Sequence, residues 1–464
     1  MVTPATLKAW LRDGEELAIL DAREEGEFGA AHLFWAVPCP LSQAELRAPR
    51  LLPRRGVRVV CVDGGGGAGH AERLAAVLAG LGYTDVHVLE GGVPAWAASG
   101  FEVFSGVNVP SKAFGEWVEH HYGTPSIAAE ELAALQASGA DMIVVDSRTP
   151  AEFRNMSIPG AISVPGGELA YRVPSLLDRA ETLVVVNCAG RTRSIMGAES
   201  LRQAGLGNRV VALRNGTMGW ELAGFACEHG KSARYPDGTP ADAQDSAARA
   251  RRFAAAQGVK MLDEAGLAAL RAEDSRSTYL FDVRDAAEFA AGHLPGAGHA
   301  PGGQLVQTTD AWVAVRHARI VLCDDTGTRA AMTAGWLRQL GGWEVFVLEG
   351  GLAGALERPS TPALPEATPR IEAVELAARL AACRACVVDL ARSVAFRAGH
   401  IPGAIWGVRT RLDQVAPRLP AGRLVAIAAP DPALAVLAME ELRALVAAPV
   451  VVLDGGAQAW KQAG

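Results

Sequence analysis

The chain has 464 residues, of which half are hydrophobic and a fifth are charged, and its net charge is −7. This length predicts about three or four domains, and an acidic balance without any run of Lys or Arg argues against a nucleic-acid partner. No apolar stretch reaches the roughly 18 residues of a membrane span, and the N-terminal residues do not resemble a signal peptide. Seven scattered cysteines, which lack the spacing of a disulfide framework, predict a reducing cytoplasmic location.

One pattern recurs four times along the chain. In the first copy, over residues 19–28, a short apolar strand ends in Asp, Arg follows two residues later, and a helix then starts with Glu-Phe. The second and third copies repeat this pattern at residues 144–153 and 280–289, and the fourth, at 387–396, lacks both the Arg and the Glu. An Ile/Leu-Pro-Gly-Ala turn follows in copies two to four. Such self-similarity indicates a tandem array of one structural unit.

Each copy continues with a second apolar strand, a loop, a helix and a third strand that ends in a turn. Short strands that alternate with helical segments of about 10–15 residues predict βαβ units, and therefore an α/β fold with a parallel sheet and helices on both faces. The turns are Glu90-Gly91-Gly92, Arg214-Asn215-Gly216, Glu349-Gly350-Gly351 and Asp454-Gly455-Gly456.

We predict four tandem domains from these copies, and each is long enough for its own core. Polar or proline-rich linkers are expected at residues 234–245 and 358–369. The segment that opens the second domain, with His120, His121 and Tyr122, is expected to lie over a neighbouring domain as an ordered connector rather than to bind a metal. The predicted domains are residues 1–105, 106–232, 250–358 and 366–464.

The second copy contains a cysteine loop between an apolar strand and a helical pattern. Its thiol is expected to face backbone N–H groups, two guanidinium groups and the positive end of a helix, each of which favours the thiolate. A buried structural cysteine is the alternative, but the two arginines do not suit an apolar site. Gly190 is expected to adopt a positive φ, and Ser194 either binds substrate or caps the helix. The loop is Cys188-Ala189-Gly190-Arg191-Thr192-Arg193-Ser194.

Register predicts that only the second copy carries this thiol. Asp146, which is expected to support the site by pairing with Arg148 or the loop backbone, lies 42 residues before Cys188, and the same count locates the matching position in copies one and three. In the fourth copy the following helix sets the alignment. Cys323 precedes the matching position by one residue, so its side chain should point away from the loop. The matching residues, which predict three inactive domains, are Asp63, Asp324 and Ala429.

Two further groups could assist catalysis or bind a metal, but the sequence argues against both. Copies one, three and four share a histidine where the second copy, which has the thiol, carries Ser157, so a Cys–His dyad is not expected. Cys383 and Cys386 have metal-ligand spacing, but no second pair follows them. We therefore predict no metal site, and turn-stabilising roles for the three histidines. These are His32, His293 and His400.

The Asp-x-Arg strand end, the Glu-Phe helix start, the Ile-Pro-Gly-Ala turn and the cysteine loop together resemble the rhodanese (sulfurtransferase) family. The resemblance spans nearly the whole chain and is strongest in residues 126–225. It implies a parallel sheet of about five strands in each domain, and inactive domains beside an active one. It also implies that Cys188 accepts a sulfane sulfur as a persulfide, without another cofactor. The sulfur would then pass to cyanide or to a thiol, including a protein thiol.

The residues of the loop support this chemistry in their own right. Arg191 and Arg193 can hold the departing sulfite of a donor such as thiosulfate through charge-assisted hydrogen bonds. Backbone N–H groups of residues 189–194 can cradle the anionic persulfide. Thr192 and Ser194 add hydroxyl donors to the same loop. We therefore predict that a small anionic donor binds to residues 189–194.

Two other functions stay open. A cysteine phosphatase or arsenate reductase also needs a thiolate in an anion cradle, but those loops resemble Cys, five residues and Arg, whereas here four residues separate Cys188 from Arg193. The shorter loop favours a sulfur atom over a phosphate. The other possibility is a non-enzymatic persulfide carrier or redox-sensing scaffold. The sequence does not specify the physiological donor and acceptor, or the oligomeric state.

Overall fold

The structure is a computed structural model that describes residues 1–67, 69–359 and 363–464. Within these residues it contains four sheets of five strands, one for each copy of the repeated pattern. The predicted α/β fold is therefore confirmed. Residues 360–362 of the second expected linker lie outside the described residues. No helix in the described ranges is both long and apolar enough to cross a membrane.

The four sheets define modules 1 to 4, and the modules are distributed over two compact units. The first unit, Met1–Pro38 with Pro49–Arg358, contains the sheets of modules 1, 2 and 3. The second unit, Cys39–Ala48 with Pro359–Gly464, contains the sheet of module 4. The boundaries of the four domains given above stay a prediction.

Module 1 is built around a short buried strand. Its elements are α1 (Pro4–Trp10), β1 (Leu17–Asp21), α2 (Glu25–Ala30), β2 (Ala36–Pro38), α3 (Ala44–Leu51), β3 (Val59–Val62), α4 (His70–Gly80), β4 (Val86–Val88) and α5 (Gly92–Ala98). All five residues of β1 are buried. This strand pairs in parallel with β2 and β3, and β4 continues the sheet beside β3.

Module 2 has a fully parallel sheet in the order β5-β9-β8-β6-β7. Its elements are α6 (Val109–Tyr122), β5 (Ser126–Ile127), α7 (Ala129–Ala137), β6 (Met142–Asp146), α8 (Pro150–Asn155), β7 (Ile162–Ser163), α9 (Leu169–Arg172), β8 (Leu183–Asn187), α10 (Thr192–Gln203), β9 (Val210–Leu213) and α11 (Gly216–Leu222). Along β8, Val184 and Val186 join one apolar cluster and Val185 joins the other, because alternate residues face opposite sides of the sheet. Apolar layers thus cover both faces of the strand, which explains its uninterrupted valines.

Module 3 repeats this strand order as β10-β15-β14-β11-β12. Its elements are α12 (Ala243–Ala256), β10 (Lys260–Leu262), α13 (Glu264–Ala272), β11 (Thr278–Asp282), α14 (Ala286–Ala291), β12 (Gly298–His299), α15 (Gly302–Gln307), β13 (Val315–Arg316), β14 (Arg319–Cys323), α16 (Thr328–Leu340) and β15 (Glu344–Leu348). Strand β13 leaves its own module and pairs antiparallel with β1, which gives the sheet of module 1 its fifth strand.

Modules 2 and 3 meet through equivalent residues. Trp336 Nε1 donates a hydrogen bond to Oγ of Ser200, the residue at the same position in module 2, over 2.8 Å. Gly167 and Gly303 are also equivalent, and a Cβ on either would lie 2.7 Å from the backbone nitrogen of the other. Contacts between equivalent positions are the mark of a two-fold arrangement. The two modules are therefore related by an approximate two-fold axis.

Module 4 has the same strand order, β16-β20-β19-β17-β18, and lies in the second unit, which also contains residues 39–48. Its elements are β16 (Arg370–Ile371), α17 (Ala373–Ala381), β17 (Ala385–Asp389), α18 (Ser393–Ala398), β18 (Ile405–Trp406), α19 (Leu412–Val415), β19 (Leu424–Ala428), α20 (Pro432–Arg443), β20 (Val450–Leu453) and α21 (Gly456–Gln462). The guanidinium of Arg409 binds the carboxylates of Glu45 and Glu441 within this unit.

Candidate active site

Cys188 lies in a short loop between β8 and α10, and its side chain is almost completely buried. Helix α10 has Arg191 as its N-cap residue and no side chain that caps its first N–H groups. In the parts of the chain that the structure describes, no backbone N–H of residues 189–194 has a hydrogen-bond partner. The loop and the first helical turn thus offer a set of unsatisfied donors beside the cysteine, as the start of a helix does for an anion.

The carbonyl groups of the same loop are held by the first turn of α11. The carbonyl of Cys188 accepts hydrogen bonds from the backbone N–H of Thr217 at 2.8 Å and from its hydroxyl at 3.0 Å. The carbonyl of Ala189 accepts one from the N–H of Met218 at 3.0 Å. Because the C=O and N–H of a trans peptide point in opposite directions, the N–H groups of Ala189 and Gly190 are turned away from α11.

The expected positive φ at Gly190 is wrong. The left-handed residues lie instead at the turn before α11, where Asn215 and Gly216 have φ values of 58° and 53°. A Cβ on Gly216 would lie 2.3 Å from the carbonyl oxygen of Cys188, so a larger residue cannot stand there without moving the loop. The steric demand for glycine therefore falls on the turn that supports the cysteine loop.

The proposed capping role of Ser194 is also wrong. Ser194 is the third residue of α10, and its buried hydroxyl donates back to the carbonyl of Arg191 at 2.8 Å. The helix starts three residues earlier than the capping interpretation requires, because its N-cap residue is Arg191 and not Ser194.

Arg193 is paired with a carboxylate from module 2. Its Nη1 and Nη2 donate to the two carboxylate oxygens of Glu152, at 2.9 and 2.7 Å. Burial by itself would raise the pKa of Glu152, but the hydrogen bonds and charge of Arg193 outweigh it and lower the pKa to about 2. Burial lowers the pKa of Arg193, whereas Glu152 and the charges of Cys188 and Asp146 raise it, with a net increase. The guanidinium is therefore within electrostatic reach of the sulfur.

Arg191 points in a different direction, towards α6. Its Nε donates to Oε1 of Glu116 at 2.7 Å, and its Nη2 binds the carboxylate of Glu119. Gly115 allows α6 to approach the loop closely, since a Cβ there would lie 2.5 Å from Cγ2 of Thr192. The two arginines predicted to bind the donor therefore both have glutamate partners, which offset their charge.

Helix α6 is the ordered connector that the sequence predicts. The Tyr122 hydroxyl donates to Oε1 of Gln339 at 2.7 Å, and the Ser111 hydroxyl donates to the carbonyl of Val306 at 2.8 Å. Both acceptors belong to module 3. The connector thus joins module 3 to the cysteine loop of module 2.

A buried polar cluster lies beneath the loop. The expected pairing of Asp146 with Arg148 is present, with Arg148 Nε and Nη2 bound to the carboxylate at 2.9 and 2.7 Å. The side-chain amide of Asn187 donates to the same carboxylate at 2.7 Å and to the Thr217 hydroxyl at 3.1 Å. Asp146 is thereby connected, through two side chains, to the carbonyl of Cys188.

The equivalent loops of modules 1 and 3 are closed by their own carboxylates. Asp324 accepts hydrogen bonds from the N–H groups of Gly327 and Arg329, at 2.5 and 2.8 Å, and its burial raises its pKa to about 6. Asp63 accepts from the N–H groups of Gly65 and Ala71, at 2.8 and 3.1 Å. Some of the backbone donors that stay unsatisfied after Cys188 therefore have an acceptor in these two modules.

The other cysteines and the equivalent histidines have structural surroundings. Cys323 ends β14 inside an apolar cluster, where burial raises its pKa, and Cys383 is exposed just after α17. No group of three or more potential metal ligands occurs in the described ranges. Each of the three histidines has its Nδ1 in hydrogen-bond contact with a nearby backbone carbonyl and its ring stacked on the Phe four residues earlier, so the predicted turn-stabilising role is confirmed. They are His32, His293 and His400.

Comparison with known proteins identifies the family to which these modules belong. The model of the rhodanese-like domain matches residues 3–99, 128–223 and 264–357, which is more than half of the chain. The chain belongs to the rhodanese family. The match omits module 4, although its sheet has the rhodanese strand order of modules 2 and 3.

Known rhodaneses resemble both the whole chain and its parts. The crystal structure of a thiosulfate sulfurtransferase from Pseudomonas aeruginosa is 45% identical, covers 100% of this chain and 88% of its own, and superposes with a TM-score of 0.90. A putative thiosulfate sulfurtransferase of Mycobacterium tuberculosis is 30% identical over 205 residues, 36% of this chain and 71% of the relative. A sulfurtransferase of Allochromatium vinosum is 33% identical over 99 residues, which cover 21% of this chain and 90% of the relative. The chain is thus a rhodanese-type enzyme.

Sequence reasoning missed the residues that hold the rhodanese loop in place. Glu152 belongs to the repeated Glu-Phe pattern, but the pattern does not indicate a contact with Arg193. Glu119 belongs to no motif of the sequence. Asn187 and Thr217 could have been found by comparing the four copies position by position, because both are polar only in module 2.

Proposed function

We propose that Cys188 of module 2 is the nucleophile of a sulfurtransferase reaction that uses a small anionic donor such as thiosulfate. The thiolate attacks the outer sulfur of thiosulfate, the S–S bond of the donor breaks, and sulfite leaves with the bonding electron pair. Cys188 then carries a persulfide anion. Cyanide or a thiolate attacks its terminal sulfur, and the Cys188 thiolate is regenerated, so the cycle needs no added oxidant, reductant or cofactor.

The observation that carries this proposal is the set of unsatisfied N–H groups in residues 189–194. These donors can stabilise the negative charge of the thiolate and then of the persulfide, in a site where most water is excluded. In module 3 the matching N–H groups of Gly327 and Arg329 bind Asp324, which supports a single reactive module. The presence of thiosulfate in the names of the similar proteins supports this donor.

The arginines have unequal parts in the proposed reaction. Arg193 is largely buried, and its hydrogen bonds to Glu152 use two of its five N–H groups, so others can bind the oxygens of the donor and of the departing sulfite. Arg191 is more exposed and is held by α6. We infer that Arg193 contributes most to catalysis and that Arg191 chiefly fixes the outer wall of the loop.

None of the seven cysteines, all of which lie in the described ranges, forms a disulfide, which supports a reducing compartment such as the cytoplasm. We propose that modules 1, 3 and 4, which have Asp63, Asp324 and Ala429 at the cysteine position, do not transfer sulfur. The acceptor thiol can belong to a small molecule or to a protein, since the same attack on the persulfide serves both.

The test is a mass measurement on the full-length protein. After treatment with thiosulfate, the peptide that contains Cys188 should gain one sulfur atom, and addition of cyanide should remove it with release of thiocyanate. The Cys323→Ser variant serves as the matched control, because it changes a buried cysteine of the equivalent module and should behave as the wild type. Absence of the sulfur adduct, together with turnover of a phosphate ester, would instead support the phosphatase alternative.

A further inference from the structure

Asn187, the residue directly before Cys188, is a completely buried amide at the end of β8. Its Nδ2 makes two hydrogen bonds, to the carboxylate of Asp146 and to the hydroxyl of Thr217. Its Oδ1 has no hydrogen-bond partner among the described residues. The Asp146 carboxylate fixes this orientation, because a flipped amide would place Oδ1 against a negatively charged oxygen. A buried polar atom without a partner costs stability, so the amide requires an explanation other than packing.

The other modules have apolar residues at the position of Asn187. In each sheet this position is the register partner of the strand-end Asp, and in module 2 the pair is Asp146 with Asn187. The sheet thus accepts apolar side chains here in three of four cases. The partners in the other modules are Val62, Cys323 and Ala428.

Thr217 is distinguished in the same way. It is the residue after the Gly-rich turn, and its counterparts in modules 1, 3 and 4 are Val93, Leu352 and Ala457. In module 1 the backbone bond is retained, since the N–H of Val93 donates to the carbonyl of Asp63 at 2.9 Å. What module 2 adds is the hydroxyl, which accepts from Asn187 and gives its one proton to the carbonyl of Cys188.

The hydrogen bonds from Asn187 to Thr217 and from Thr217 to Cys188 form a relay that acts on the peptide plane between Cys188 and Ala189. Two donors from Thr217 hold the carbonyl of Cys188 on one side, and the N–H of Ala189 is therefore fixed on the opposite side, where the loop donors lie. A single donor would let the plane tilt about the remaining bond. Asn187 restricts rotation of the hydroxyl, because its Nδ2 donates to one lone pair of the oxygen and favours the orientation in which the proton points at the carbonyl.

We propose that Asn187 and Thr217 are positioning residues of the sulfur-transfer site, which orient the 188–189 peptide so that its N–H stabilises charge on the Cys188 sulfur. This inference rests on the proposed function. The two residues do not touch the substrate, and they act only through the loop backbone. The relay is a feature of module 2, since the equivalent positions elsewhere in the described chain are apolar.

The experiment uses the full-length protein with Thr217→Val, Asn187→Val and the conservative Thr217→Ser. The matched control is Thr182→Val, a buried threonine at the opposite end of β8, whose hydroxyl binds Asp141 at 3.0 Å. Thr217→Val reproduces the residue of module 1 and keeps the backbone bond, so it should fold even if Asn187→Val does not. The measurements are thiosulfate–cyanide kinetics, melting temperature, and the pH dependence of Cys188 alkylation followed on its peptide by mass spectrometry.

Thr217→Val should lower kcat by about tenfold, the scale of one hydrogen bond, with KM for thiosulfate little changed. The pH midpoint of Cys188 alkylation should move up by about one unit, and Thr217→Ser should restore both values. Thr182→Val should lower only the melting temperature. Wild-type kcat and pH midpoint in Thr217→Val would overturn the inference. If the wild type transfers no sulfur, the proposed function fails, and the alkylation profile still decides whether the relay acts on Cys188.

Discussion

The cysteine loop of module 2 and the matching loop of module 3 have one backbone design with two different occupants. Each loop follows the central strand of its sheet and runs into a helix N-terminus. In module 3 the Asp324 carboxylate accepts hydrogen bonds from the loop itself, whereas the N–H groups after Cys188 have no acceptor among the described residues. Module 3 thus lacks more than a nucleophile: its own side chain occupies the position where we propose that module 2 binds an anion.

The arginines that follow these loops differ as well. Arg193 binds one carboxylate and keeps some exposure, while the equivalent Arg329 is completely buried against Glu168, Glu288 and Asp325. Glu168 comes from module 2, so Arg329 belongs to the contact between the two modules. The guanidinium of Arg193 is therefore partly accessible, as the proposed reaction requires, whereas that of Arg329 is held in buried ion pairs.

The largest expected effect is loss of the nucleophile. Cys188→Ser should abolish sulfur transfer and leave the melting temperature nearly unchanged, because the change removes the thiolate but little volume. Steady-state thiocyanate formation measures the effect. Cys61→Ser, Cys323→Ser and Cys227→Ser are the controls and should keep nearly full activity. Substantial turnover in Cys188→Ser would show that another module is active.

Substitution of the equivalent arginines, Arg193 and Arg329, should separate effects on catalysis from effects on stability. Arg193→Ala should lower kcat/KM for thiosulfate by about 100-fold, the scale of losing one charge-stabilising group, and shift the pH dependence of alkylation upward. Arg329→Ala should leave kcat/KM largely intact but lower the melting temperature, because the buried Glu168 would lose one of its two arginine partners and keep Arg172. Equal losses of activity in both variants would show that Arg329 serves catalysis as much as Arg193 does.

The raised pKa of Asp324 predicts a smaller, pH-dependent effect on stability. With a folded pKa of about 6 against an ordinary value of 3.8, the folded state binds more protons between these limits, so stability falls as pH rises through that window. Asp324→Asn does not titrate. Its melting temperature relative to wild type should therefore rise by a few degrees from pH 4 to pH 7 and stay level above it. Calorimetry across this range checks the sign, and a difference that is independent of pH would contradict it.

The smallest effect is expected from returning only the thiol to module 3. Asp324→Cys in a Cys188→Ser background should give no sulfur transfer above the Cys188→Ser level. Asp325 stays beside the new thiol and would repel an anionic donor, and Arg329 stays in its buried ion pairs. Thiocyanate release at saturating thiosulfate is the measurement, and recovered turnover would mean that the nucleophile alone separates the two loops.

The repeated patterns of the sequence predicted the fold of the modules, but contacts between residues far apart in the chain were not predicted. The α/β fold and the α6 connector follow from local patterns. The predicted equivalence of Cys188 and Asp324 agrees with the sheets, since the preceding residues, Asn187 and Cys323, each pair with the strand-end Asp of their module. The partners of the arginines could not be predicted, because Glu152 is 41 residues from Arg193 and Glu119 is 72 from Arg191. The expectation for Gly190 failed because the strain of the turn is borne by Asn215 and Gly216, which belong to another loop.

The antiparallel pairing of β13 with β1 has a consequence for synthesis. Leu17 and Ala18 pair with Arg316 and Val315, which leave the ribosome about 300 residues later. At about 5–20 residues per second, this is a delay of about 15–60 s. Throughout that time the amino-terminal half of β1 has an open edge, of the kind that recruits strands from other chains. A nascent chain stalled before residue 315 should therefore depend more strongly on ribosome-associated chaperones than one stalled after β13 has emerged.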